Sequence, residues 1–194
     1  MLRQNVLIAA CIAGVGILVS GCASELANCQ HSKVDAWVAR SGGLDGDSSL
    51  DRRLQTSFKR LTVARNENSN IECRVLASDS VAAFSWSTGE VFVTRGLMLR
   101  MSDDQVCAVI AHELAHLMMD GQLKDPATLA PGDSAHLDVE AAADLIGCRI
   151  LSRSGLSSRH MIDMLTKLQT CVAPEIQPDV IRRMARLESG LRKE

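Results

Sequence analysis

Val106-Cys107-Ala108-Val109-Ile110-Ala111-His112-Glu113-Leu114-Ala115-His116-Leu117-Met118-Met119 is the stretch on which the reading of this chain turns. Its apolar residues run almost without a break, so a helix here is buried on most sides. His112 and His116 stand four apart and share one face, a turn from each other, which lets two imidazoles meet a single ion. Glu113, beside the first of them, can lean over the same ion without binding it. This is the H-E-x-x-H arrangement, in which the histidines hold zinc and the glutamate is the general base toward an activated water. Ser102-Asp103-Asp104-Gln105 has the form of a capping box with acids in the first turn, and Gly121 predicts a stop near Asp120.

A catalytic zinc usually takes three protein ligands and keeps a fourth position for water, so a third ligand is sought downstream. Glu140 and Asp144 supply it in Val139-Glu140-Ala141-Ala142-Ala143-Asp144, four apart on a second predicted helix. One of them ligates the metal while the other hydrogen-bonds a ligating imidazole. Taken alone, the same spacing also suits a solvated acidic pair on a surface helix.

His112-Glu113-Leu114-Ala115-His116, then Glu140-x-x-x-Asp144 followed by Gly147, resemble the zinc metallopeptidase (gluzincin) family of the CAAX prenyl protease and the heat-shock protease HtpX. Ala82-Ala83-Phe84 and Gly89-Glu90-Val91-Phe92-Val93-Thr94-Arg95-Gly96-Leu97 are similar to that family's strand pair with its Thr-Arg-Gly-Leu step. The likeness runs from about Ile71 to Cys148, with an echo at Gln177-Pro178 and Arg183. It implies a mainly helical α+β, zincin-like domain, with a small antiparallel sheet beside the HExxH helix and a second metal-ligand helix. It also implies one zinc per chain on His112, His116 and Glu140, with Glu113 as the base for peptide hydrolysis. By the same resemblance the Ala83-Phe84 strand is the edge that binds a substrate backbone; a hairpin that only covers the core is the alternative.

The oxyanion donor is open, because the chain has no tyrosine. His136, His160 and Arg183 are the candidates. The family carries a His-Pro step with an arginine six residues after the histidine; here Gln177-Pro178 stands in its place and Arg183 keeps the arginine. Asp144 is the candidate partner of a ligating histidine. His136, four residues before Glu140, binds substrate, takes the open zinc position, or simply starts the helix.

Residues 1–22 form a unit by composition, with Arg3 as the one charge and an apolar run from Val6 to Val19 that is short for a membrane span but suits a secretory signal. Val19-Ser20-Gly21-Cys22 resembles a lipobox, which makes Cys22 the lipidated first residue of the mature chain. Ala23 rather than Asp after it resembles lipoproteins of the outer membrane in a Gram-negative host. The expected organisation is a signal peptide at 1–21, a lipidated tether or packing helix at 22–48 and a peptidase domain at 49–194. The expected location is the periplasmic side of the envelope, anchored by lipid. The full chain has a formal net charge of −2, too acidic a balance to suggest nucleic acid as a partner. The expected partners are unfolded or misassembled proteins, with an accessory protein supplying specificity; the alternative is a non-proteolytic, zinc-scaffolded chaperone or binding lipoprotein.

Export permits disulfides. Cys107 and Cys148, on the two metal helices, are the pair to test, with two buried free thiols as the alternative. Elsewhere the pattern predicts helices over Ser24–Arg40, Leu50–Leu61, Ser157–Val172 and Pro178–Ser189, and strands over Ile71–Leu76, Val81–Trp86 and Glu90–Thr94. Leu44 to Ser49 reads as a turn with an N-cap, and the Gly121–Ser134 loop is a candidate lid.

Overall fold

The computed structural model describes residues 23–61, 70–120 and 139–191. The signal peptide, Cys22, His136 and the Gly121–Ser134 loop lie outside the described residues. Helix α1 (Ala23–Arg40) is followed by α2 (Ser48–Lys59), whose N-terminus is capped by Asp47 accepting from the Ser49 amide at 2.8 Å. Leu50 and Leu54 on α2 are buried, as their four-residue spacing predicts. No helix among the described residues is long and apolar enough to cross a membrane.

Three short strands follow: β1 (Glu72–Leu76), β2 (Ala83–Ser85) and β3 (Glu90–Thr94). Their order is β1-β3-β2, and the sheet is mixed rather than antiparallel: β3 pairs antiparallel with β2 but parallel with β1. The reason is local. Trp86 to Gly89 closes a tight turn, with the Gly89 amide donating to Trp86 O at 2.8 Å and Gly89 at φ +103°, so β2 and β3 pair with each other. β1 is left to the far side of β3. Its outer edge is taken by the chain before α2, where Asp45 N donates to Val75 O and Ala77 N donates to Gly43 O.

The Thr-Arg-Gly-Leu step is a strand end that turns at once into a helix, α3 (Arg95–Arg100), which the apolar pattern did not predict. Thr94 caps it, accepting from Leu97 N at 3.3 Å, while its hydroxyl donates to Ser80 O at 2.6 Å. Gly96 is required there: a Cβ would stand 2.1 Å from Asp79 O and 2.3 Å from Ser80 O.

Helix α4 (Asp103–Met119) starts at the expected capping box, with Ser102 Oγ accepting from Gln105 N and Gln105 Oε1 accepting from Ser102 N. Every residue from Val106 to Met118 is buried. Each of its large aliphatic side chains contributes roughly 1.5–3 kcal/mol by leaving water, so α4 is the core about which the other elements pack. They are α2, β2, β3, α5 (Val139–Arg153), α6 (Arg159–Gln169) and, beyond α5 and α6, α7 (Gln177–Leu191).

Cys107 and Cys148 are buried and do not form a disulfide with each other. The two helices meet at Ala111, His112 and Gly147, and the cysteines point elsewhere: Cys107 to Ser57 O on α2, Cys148 to Ser158 O ahead of α6. On the face of the sheet away from α4, Trp37 of α1 packs on Phe84, Trp86 and Phe92 with ring centroids 5.2–5.6 Å apart.

Candidate metal centre

One turn of α4 separates His112 from His116, and their Nε2 atoms converge to 3.1 Å. Helix α5 packs across them and brings Glu140 alongside: Oε2 lies 3.4 Å from His112 Nε2 and Oε1 3.6 Å from His116 Nε2. The donor atoms of these three residues all lie within 4.8 Å of one another. Zinc–nitrogen bonds of about 2.0–2.1 Å in a tetrahedral site put neighbouring donors about 3.3 Å apart. The observed separations straddle that figure, and two imidazoles with a carboxylate are the donor types zinc prefers.

Asp144, one turn beyond Glu140, stands behind His112 with Oδ1 at 2.9 Å from Nδ1. A carboxylate in that position holds the proton on Nδ1 and leaves Nε2 as the lone-pair donor a metal needs. Arg183, reaching in from α7, donates from Nε to Asp144 Oδ2 and from Nη2 to Oδ1, both at 2.7 Å. Its Nη1 lies 3.1 Å from Glu140 Oε2.

Burial and charge in this enclosure shift His112, Glu113, His116 and Asp144. Burial opposes the charged form of Asp144, but hydrogen bonds from Arg183 and His112 outweigh it and bring its pKa down to about 2. Burial likewise opposes a charged His112, yet its bonds to Asp144 and Glu140 push it up to about 9. His116 goes the other way, down to about 4, through burial and then the neighbouring His112 charge.

Glu113 is fully buried, and neither of its carboxylate oxygens makes a hydrogen bond of good geometry, the Ser85 hydroxyl on β2 being the polar group that comes near it. A buried carboxylate without such a bond is costly and points to something further at this spot. Burial raises its pKa; the His112 charge and the Ser85 hydroxyl, facing it from β2, offset part of the rise. Ser85 was not singled out from the sequence, although period-two alternation puts it with Ala83 on the face of β2 that meets α4.

Of the remaining oxyanion candidates among the described residues, His160 falls apart from this cluster and Arg183 does not. His160 sits beside the first turn of α4, 3.8 Å from both Asp104 and Asp163. Eight residues of helix put Asp104 about 12 Å from His112 along the axis, so His160 is not an oxyanion donor. Arg183 is in the cluster but behind the ligands, bound to two carboxylates.

The model of Peptidase family M48 matches residues 48–128, the span from α2 through the HExxH helix. Metalloprotease LoiP of Escherichia coli (strain K12) is 28% identical over 156 residues, which cover 76% of this chain and 62% of LoiP. The chain therefore spans less than two thirds of that relative's length. The family match over residues 48–128 and the relative support the resemblance carried by the motifs, that of an HtpX-like zinc metallopeptidase of family M48.

Proposed function

We propose that this chain is a zinc-dependent endopeptidase that cuts unfolded or misassembled proteins of the cell envelope. The observation that carries the reading is the meeting of three donors, His112, His116 and Glu140, beside the poorly satisfied buried carboxylate of Glu113. Zinc, when bound, supplies Lewis acidity that polarises a peptide carbonyl and acidifies water. The chain does the rest. His112 and His116 present Nε2, and Asp144 fixes the tautomer of the former. Glu113 takes the proton of the attacking water and hands it to the leaving amine nitrogen. Its burial raises its basicity toward the working pH, which a general base requires.

Substrate placement falls to β2, the edge of the sheet. Ala82 O and Trp86 N bond β3, so by alternation the backbone groups of Ala83 and Ser85 point to the open side. A substrate strand added there meets backbone rather than side chains, with little demand on its sequence. Lipid anchoring at Cys22, on the periplasmic side of the outer membrane, is part of the proposal and rests on the lipobox-like Val19–Cys22.

The test is cleavage of an unfolded protein by the purified chain with one equivalent of zinc, beside Glu113→Gln at equal zinc content. We expect cleavage by the parent and a loss of at least about a hundredfold in the variant, the scale of a lost general base. Zinc bound by both with cleavage by neither would favour a zinc-scaffolded binding protein.

A further inference from the structure

Arg183 is 3% exposed, although arginine is almost never fully buried unless paired. It comes from α7, 39 residues beyond Asp144 and outside the stretch that the family model matches. Its guanidinium meets Asp144 through two hydrogen bonds of 2.7 Å and Glu140 Oε2 at 3.1 Å. The fork is committed to groups that bind or brace the metal position, and little of it is left to face a substrate. That geometry is wrong for an oxyanion donor, which must point a donor into the open site.

The charge count agrees. Glu113, Glu140 and Asp144 bring three carboxylates into one buried space, and the excess would destabilise the folded protein if nothing opposed it. A divalent ion answers two of the three negative charges. Arg183 answers the third, and its planar fork spans two carboxylates at once, which a lysine's point charge does not.

We infer that Arg183 is a positioning residue for the metal: it locks Glu140 and Asp144 of α5 against His112, and so makes zinc affinity depend on the C-terminal helix. The inference rests on the zinc site proposed above. It separates this arginine from the chemical step and gives α7 a task beyond covering the core.

The test is zinc affinity of the full chain, Arg183→Gln and Arg183→Lys, measured by competition with a chromophoric chelator at one pH, with far-UV circular dichroism to confirm folding. Losing such a brace typically weakens metal binding about 10- to 100-fold. We expect that loss in Arg183→Gln and a smaller one in Arg183→Lys, which keeps the charge but not the fork. In the cobalt-loaded proteins the visible bands of Arg183→Gln should shift, because its ligands are held differently. Where Arg183→Gln does not fold, Arg183→Lys decides by the same two readouts. A parent that binds no zinc would sink the metallopeptidase reading, and this inference with it. A parent that binds zinc no more tightly than either folded variant, with cobalt bands unmoved, overturns the inference alone. Loss of cleavage at unchanged zinc affinity also overturns it, by returning Arg183 to the substrate.

Discussion

Gly147→Ala tests whether the α4–α5 contact sets the metal site. Inside a helix this change gains about 1 kcal/mol in propensity. Here the new Cβ would stand 2.5 Å from Met161 Cε, 3.3 Å from His112 N and 3.4 Å from Ala111 C. The methionine methyl is the free end of a flexible chain and can turn aside. The α4 backbone cannot, so the two helices must part by a few tenths of an ångström, an overpacking cost of about 1–3 kcal/mol. The balance is a net loss of about 0–2 kcal/mol. Stability is the smaller effect. Glu140 and Asp144 ride on the displaced helix, and the 2.9 Å contact between Asp144 and His112 lengthens with it. Zinc affinity should fall about tenfold, the lower end of what a disturbed brace costs. Urea unfolding followed by circular dichroism gives the first quantity and chelator competition the second. An alanine variant that is stabilised by the full propensity gain, with zinc affinity unchanged, would refute the contact as the determinant of the site.

The metal-free protein should show a pH window. His112 is raised to about 9 from 6.5, so its contribution is full below about 6.5 and lost as pH rises through about 9; Asp144 is lowered to about 2 from 3.8, so its contribution holds above about 3.8 and is lost as pH falls through about 2. Urea midpoints of the metal-free protein that stay flat between pH 6.5 and 9 would contradict the first half. Zinc must displace the His112 proton, so its affinity should climb up to about tenfold per pH unit over that range, measurable by chelator competition. Gly96→Ala meets two backbone carbonyls at 2.1 and 2.3 Å and should cost about 3 kcal/mol or more, read as a lowered melting temperature.

The helical period alone put His112 with His116 and Glu140 with Asp144, and the capping box at Ser102 marked where α4 begins. These features depend on neighbours within a turn, which is why they were legible. The parallel pairing of β1 with β3 was not, since it depends on which strand the Trp86–Gly89 turn folds back first. Helix α3 is too short to show a period. Its origin lies in the Thr94 cap and the close approach at Gly96, both contacts with residues 78–82. Arg183 was visible as an arginine at the right distance from a proline, but its partners are 39 and more residues away. Only the packing of α7 on α5 turned a candidate donor into a clamp. The cysteine pairing failed for a related reason: two helices that touch do not make every pair of their side chains face each other.

The chain's two tryptophans both sit where α1 lies on the sheet, with ring centroids 5.6 Å apart, and there is no tyrosine. All of its tryptophan fluorescence therefore originates on one side of β2 and β3, opposite His112 and His116. Emission is then a native gauge of whether the segment that follows Cys22 is seated, and it should hold steady while zinc is added or stripped. Trp37→Phe and Trp86→Phe would divide that signal between helix and sheet. A spectroscopist can thus watch helix α1 and the candidate metal centre of one molecule through separate windows, the first in ultraviolet emission and the second in cobalt absorption.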